Sequence, residues 1–349
     1  MRPLADLSHA EVCDLVVGLG EKKFRADQLF GWVSAYKSKD EMTNVPKSLL
    51  QKLEEDGFLF QALSVYSVYK GKDAEKYLLK THDNQLIECV VMHYKHGNTI
   101  CVSTQIGCRM GCAFCASGEG GLVRNLSRGE ILSQVLLVNR AMTDAGDQNL
   151  SKDRKITNIV LMGSGEPLDN YEEVVAFLKL VTDPKGICIS PRNISLSTCG
   201  LAPKIKQLAK ENLPITLSIS LHATTDEQRK ETMPIAKAYS LAELFEAIFA
   251  YQKECGRRVC FEYITTTKNT TEADAKRLAS LTKGLLCFVN LIVPNKTKGQ
   301  KTNFTRQDAY EFGGLLKKYG VNATIRRSLG ADIEGACGQL KRRVLGENK

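Results

Sequence analysis

The sequence predicts an α/β fold, a partial (β/α)6 barrel preceded by a helical accessory module and a β-extension. From Ile100 onward, short apolar runs of strand character alternate with longer stretches of helical spacing. That order makes parallel strands joined by right-handed crossovers. Such pairs number roughly six, fewer than the eight of a closed barrel. Before Ile100 the pattern differs: residues 1–57 read as helical, and residues 58–95 alternate with a period of two.

In the first segment Ser8 and Glu11 have capping-box spacing, Val12, Leu15 and Val16 follow at helical intervals, and Gly18-Leu-Gly20 supplies a stop. Phe24, Leu29, Phe30 and Trp32 begin a second apolar stripe. Val45-Pro46 opens a third helix with proline in its first turn. Lys22, Lys23, Arg25, Lys37 and Lys39 flank these elements, so the module suits either a nucleic-acid backbone or a packing cap on the main domain. Strands are expected at 63–69, 77–79 and 86–91, antiparallel, parted by polar turns at 70–73 and 82–84. Barrel strands are expected at 99–103, 156–162, 194–197, 215–221, 259–264, 286–293 and 321–326. Helices between them begin near Ser127 (with Glu130 as capping box), Tyr171, Pro203, Ser240 (with Glu243), Thr271 and Thr305. The chain thus divides into 1–57, a helical accessory domain; 58–95, the β-extension; 96–330, the core; and 331–349, a C-terminal segment. In such folds the chemistry sits at the C-terminal ends of the strands. Polar stretches at 144–155 and 296–303 read as exposed loops.

The 349 residues leave room for one large domain with an appendage, or for two domains. Hydrophobic content of 43% and charged content of 25% are ordinary for a globular chain. No apolar run has the length of a membrane span, and the N-terminus lacks a signal-peptide core, so a cytoplasmic location is expected. A reducing compartment also suits the 12 cysteines, most of which, such as Cys13, Cys188, Cys255, Cys260 and Cys287, read as small buried hydrophobes. The net charge of +9 favours a polyanionic partner.

Chemistry concentrates in Cys108-Arg-Met-Gly-Cys112-Ala-Phe-Cys115. Three thiolates at this spacing can hold three irons of a [4Fe–4S] cube. No fourth cysteine follows closely, which leaves one iron open to a cofactor or substrate. Structural zinc would want a second cysteine pair, and a disulfide knot an oxidising compartment. Gly107 and Gly111 let the backbone curl around a bulky body, and Phe114 can shield it or pack on a cofactor ring.

The run from Cys101 through Cys115, followed by Gly121-Leu-Val-Arg-Asn125, resembles the RlmN/Cfr family of radical SAM methyltransferases, which act on an adenine ring carbon in RNA. The resemblance covers essentially the whole chain. It implies a partial (β/α)6 radical SAM barrel, a [4Fe–4S] cluster on Cys108, Cys112 and Cys115, and S-adenosyl-L-methionine as cofactor. Met162-Gly-Ser-Gly-Glu-Pro-Leu168 is similar to the family's Gly-Glu-Pro motif, implying that Gly165 and Glu166 hold the amino group of that cofactor. Ser164 stands where the family more often has methionine. Ser197-Thr-Cys-Gly200 and Ser220-Leu-His222 resemble cofactor-contacting segments, implicating Ser197, Ser220, Leu221 and His222; Cys199 replaces the usual serine. Asn295 matches a cofactor-binding asparagine, although the neighbouring proline is shifted. Apart from the family, the Gly-Glu-Pro segment is an ordinary βα turn, and a lone histidine is more often a satisfied structural residue.

Three catalytic residues follow from the resemblance alone. Cys337 matches the cysteine that the family methylates. Cys101 matches the one that resolves the protein–RNA adduct through a disulfide with Cys337, and Glu88 matches the proton acceptor. Without the family, Cys337 and Cys101 read as buried thiols and Glu88 as part of a solvated face. Adenine C2 and C8 are poor nucleophiles, so a polar transfer straight to the ring is blocked; a cysteine that carries the methyl and a second that frees the product answer that difficulty.

The implied substrates are C2 of a specific adenosine in 23S rRNA, in the peptidyl transferase region, and of the adenosine 3′ of the anticodon in some tRNAs. The accessory module would be helix-hairpin-helix-like and bind RNA. A monomer served by an electron donor such as flavodoxin, with no membrane partner, is expected. The alternative is a Cfr-type enzyme, which methylates C8 of 23S rRNA and confers antibiotic resistance; Pro167 argues against it, since Cfr usually has alanine there. A cluster protein that binds RNA without methylating it would have no use for Cys337 and Cys101. A radical SAM enzyme for a small molecule fits the basic charge less well. Arg109, Arg124, Lys185, Arg192 and the tail residues 341–343 are candidate phosphate contacts.

Overall fold

Ten strands form one sheet in which spatial order follows chain order: β1 (Leu63–Lys70), β2 (Ala74–Thr81), β3 (Leu86–Tyr94), β4 (Gly97–Cys101), β5 (Ile156–Leu161), β6 (Ile194–Thr198), β7 (Thr216–Ser220), β8 (Val259–Ile264), β9 (Cys287–Ile292) and β10 (Ala323–Ile325). This computed structural model describes residues 1–95, 97–145, 155–294, 304–327, 329–335 and 338–340. From β1 to β4 neighbours are antiparallel; from β4 to β10 they are parallel. The order is linear, so the sheet stays open between its β1 and β10 edges.

Each parallel strand from β4 to β9 is followed by at least one helix, in order Arg128–Asp144, Tyr171–Val181, Ala202–Ala209, the pair Asp226–Thr232 and Leu241–Cys255, Glu272–Thr282, and Arg306–Lys318. These are the six βα units expected, with β10 as a seventh parallel strand. The reason they form is local. Ser127, Ser240 and Thr271 each cap a helix through a reciprocal box with the residue three positions on. The strands between carry Ile159, Leu196, Leu217, Ile219 and Phe261, which are fully buried in the main core. Helices cover the parallel strands, so their apolar runs need not alternate.

At the N-terminus helices His9–Gly18, Phe24–Ser34 and Lys47–Glu55 bury their own cluster around Val16, Leu29, Leu49 and Leu53. The Ser8–Glu11 box is formed. Pro46 is the residue before the third helix rather than inside its first turn, which still puts its missing N–H where no intrahelical partner exists. The module is fastened to helix Arg128–Asp144: Gly129 N donates to Asp6 Oδ1 at 2.7 Å, and Arg140 donates to Tyr36 O at 2.7 Å and to Glu41 at 2.8 Å. Lys37 and Lys39 pair with Glu41 and Glu54, while Lys22 and Lys23 stay exposed. The loop expected at 296–303 lies outside the described residues, as does most of that at 144–155. Among the described residues no helix is long and apolar enough to cross a membrane.

Candidate active site

The three-cysteine loop leaves the main sheet after β4 and is closed at its neck by a small antiparallel ribbon, Gln105–Gly107 against Leu122–Asn125. Its strands, three and four residues long, are too short to carry a period in the sequence. The ribbon explains Gly107, whose φ is +76° and where a Cβ would meet Gly121 O at 2.0 Å. Gly165 has φ +107°, and a Cβ there would lie 2.6 Å from Gln105 Cβ, so the turn after β5 needs glycine to approach the ribbon.

Cys108, Cys112 and Cys115 line one cavity with Phe114, Gly165, Glu166, Ser197, Thr198, Ser220 and His222. Burial pushes the Cys108 thiol up to about 11 and the Cys112 thiol to about 12. Those two thiols stay protonated until a strongly cationic body replaces their protons, as metal binding does, and Cys115 lines the same space. The donor set therefore fits an iron–sulfur cluster. Glu166 is buried; its Oε1 accepts from Leu168 N at 3.0 Å and its Oε2 from Cys199 N at 2.7 Å. Burial pushes its carboxyl pKa up, against the pull of those N–H groups. The Thr198 and Cys199 side chains also hydrogen-bond the carboxylate and add to that pull.

His222 adopts a left-handed backbone, φ +58°, a strained conformation for a residue with a side chain. Its carbonyl accepts from Asn269 Nδ2 at 2.9 Å, and its Nδ1 accepts from Ile264 N at 3.0 Å. Nε2 therefore carries the ring proton. Burial, with a smaller contribution from Arg229, lowers its pKa to about 3, so the ring is neutral. Phe114 packs edge-on against it, ring centroids 4.6 Å apart. Leu221 differs from its neighbours: its side chain is in the core, its N–H bonds Glu262 O at 3.0 Å, its carbonyl accepts from Arg229, and it does not line the cavity. Asn295 and Cys337 lie outside the described residues.

A second cavity adjoins the first through Met162, Ile292, Arg326 and Leu340, which line both. Cys101 lines it, with Met92, Tyr94 and Gly335. Glu88 is buried, not on a solvated face, and lies 3.5 Å from the buried Lys76 ammonium. That ammonium also donates to Glu334 O at 3.3 Å. Chain on either side of Cys337 is held at several points. Gly330 N donates to Asp73 Oδ1 at 3.1 Å and Lys72 N to Asp332 Oδ2 at 3.0 Å; beyond it, Ala116 N donates to Gly338 O at 2.9 Å and Ser117 Oγ to Leu340 O at 2.7 Å.

Lys76, Glu262, Arg326 and Arg229 escaped sequence reasoning. Glu262 accepts from Asn290 Nδ2 at 2.9 Å and pairs with Arg326 at 3.4 Å on the cavity wall. A carboxylate inside the apolar run of β8 was the available signal; the lysine and arginines gave none. Of the candidate phosphate contacts, Arg109 is engaged by Asp169, and Arg124 by Asp83 and Glu130.

An open (β/α)6 barrel with three thiols in a cavity at its strand ends defines the class of radical SAM enzymes. The model of the Radical SAM superfamily matches residues 102–281, and that of the ribosomal RNA large subunit methyltransferase N-terminal domain matches residues 3–58. The chain is 48% identical to the probable dual-specificity RNA methyltransferase RlmN of Clostridium tetani, covering 99% of this chain and 97% of that one. It is 46% identical to the protein of the same description from Clostridium novyi, over 100% of both. The crystal structure of a radical SAM methyltransferase from Sphaerobacter thermophilus matches with a TM-score of 0.91 and 38% identity, over 97% of this chain and 99% of that one. The chain belongs to the RlmN family.

Proposed function

We propose that this protein is a dual-specificity RNA methyltransferase that uses S-adenosyl-L-methionine to methylate C2 of adenosine in 23S rRNA and in tRNA. The observation that carries the reading is the meeting of two cavities, one lined by the three cysteines of the loop and one by Cys101, along a wall that includes Leu340, whose segment is hydrogen-bonded to Ala116 and Ser117 of the loop. Cys108, Cys112 and Cys115 would hold a [4Fe–4S] cluster, and Gly165, Glu166, Ser197, Ser220, His222 and Asn295 the cofactor. When bound, the two supply a methyl group and the radical chemistry that an unreactive ring carbon needs.

The chain's own residues do the rest. Cys337 takes the methyl group as a thiolate and carries it to the base. Glu88, held beside Lys76, accepts a proton from the ring. Cys101 then attacks the Cys337 sulfur: a sulfur–sulfur bond forms, the bond from that sulfur to the RNA-borne carbon breaks, and the electron pair leaves with the product. Met162, Ile292 and Leu340 keep water from the shared wall. Residues 1–57 serve RNA binding, with Lys22 and Lys23 free to meet phosphates. The target adenosine leaves its stack to enter the site, as bases do for other enzymes that modify them.

Anaerobic reconstitution followed by assay on protein-free 23S rRNA and on tRNA tests this. Mass spectrometry of the digested RNA should find 2-methyladenosine from both. A C8 product would replace this reading with the Cfr type, and an unmodified RNA would reject both.

A further inference from the structure

Arg229 is the largest fully buried side chain among the described residues. Its Nη2 donates to Cys199 O at 2.5 Å and Ser220 O at 3.3 Å, and its Nε to Leu221 O at 3.4 Å. These are carbonyls at the ends of β6 and β7. Among the described residues Nη1 has no hydrogen-bond partner and no carboxylate forms an ion pair with the guanidinium; Asp226 acts on it only from beyond ion-pair distance. A buried arginine remains protonated, and a buried charge without a counter-ion costs several kcal/mol in general. Such a group calls for an anion.

The place where an anion would sit is set by the helix that carries Arg229, Asp226–Thr232. Its last residue accepts from the loop: Ala113 N donates to Thr232 O at 2.9 Å, between Cys112 and Cys115. The next residue, Met233, lines the three-cysteine cavity. Cys199 and Ser220, whose carbonyls the guanidinium bonds, line the same cavity as Cys112. An iron–sulfur cube held by three thiolates is a net anion, and gains one further negative charge on reduction.

We propose that Arg229 is the fixed counter-charge of the cluster, a positioning residue that stabilises the reduced state and so raises the reduction potential. This rests on the reading of Cys108, Cys112 and Cys115 as cluster ligands. The fork of carbonyls from two strand ends holds the charge in place through the redox cycle, so no reorganisation is needed when the electron arrives. Solvent is excluded around it, which lets one charge act strongly at this range.

The experiment compares reconstituted wild type, R229K and R229Q by iron content, by redox titration followed by electron paramagnetic resonance, and by binding of S-adenosyl-L-methionine. R229Q should keep its iron but show a reduced-to-oxidised ratio about tenfold lower at a fixed applied potential, a shift of about 59 mV for one electron. R229K, which keeps the charge, should stay near wild type. Equal potentials in wild type and R229Q would overturn the proposal. So would loss of iron from R229Q, which would make the residue structural only. An unchanged potential with weakened cofactor binding would assign the guanidinium to the cofactor's carboxylate instead. A wild type that takes up no iron would defeat the ligand reading itself, and this proposal with it.

Discussion

The parallel and antiparallel halves of the sheet present their candidate site residues in different ways. On the parallel side Cys108, Cys112 and Cys115 follow β4, Gly165 and Glu166 follow β5, and His222 follows β7. Each stands on a turn, and neighbours in sequence are neighbours in the cavity. On the antiparallel side Lys76 and Glu88 lie in the middle of strands, and Cys101 at the last position of one. Their meeting depends on register. Lys76 pairs with Val90, and Val90 with Cys101, so the three form a row across β2, β3 and β4. Glu88 shares that face because it is two residues from Val90. The C-terminal segment reaches this row at Glu334, whose carbonyl accepts from Lys76 Nζ. A site borne on turns tolerates change in the strands behind it; a site borne on strand faces moves whenever the register does.

The largest expected effect separates the two halves by function. Reconstituted Cys337→Ala should retain its iron and lose methylation completely, whereas Cys112→Ala should lose both. Iron analysis beside mass spectrometry of the RNA reads this, and methylation surviving in Cys337→Ala would break the division of labour. Next in size is Lys76→Met on the antiparallel side. It leaves the Glu88 carboxylate, 3.5 Å away and buried, without that ammonium. Breaking a buried pair in this way costs roughly 3–5 kcal/mol. Denaturant unfolding of the protein should show it; a loss below about 1 kcal/mol, the range of surface pairs, would mean that the pair is effectively solvated.

A smaller effect is expected at Asp274, behind the parallel strands. Burial raises its carboxyl pKa, but bonds from Thr271, Thr224 and Arg277 outweigh that and leave it below the usual value. The unfolded chain then binds more protons as pH falls. The carboxylate's stabilisation is complete above the unfolded value of about 3.9 and is lost as pH drops through the lower folded value. Asp274→Asn should cost roughly 1.5–3 kcal/mol at pH 7, the worth of hydrogen bonds to a charged group. The gap to wild type should narrow below pH of about 3.9, and thermal unfolding at both pH values checks it. A gap that does not change with pH would show that the carboxylate's charge contributes nothing.

Much of this architecture was legible beforehand because it is written locally. Ser127 with Glu130 and Ser240 with Glu243 signal helix starts through atoms three residues apart. The triplet of cysteines is legible for the same reason, since its members share one loop. Glu88 was harder: one carboxylate on an alternating strand reads as solvated until the strand's neighbours are known, and here both of its faces are covered. The ribbon that closes the cysteine loop was missed because Gln105–Gly107 is three residues long, too short to show a period.

By itself the sequence determined the alternation of strands and helices, the spacing of the thiols, and the family to which these motifs are similar, because each depends on residues a few positions apart. The tertiary structure alone decided that Lys76 meets Glu88, that Leu340 meets the three-cysteine loop, and that no carboxylate among the described residues pairs with the enclosed Arg229. Those facts depend on which strands pair and which surfaces lose water. Pairing and burial are properties of the whole chain's packing, and no short stretch of sequence contains them.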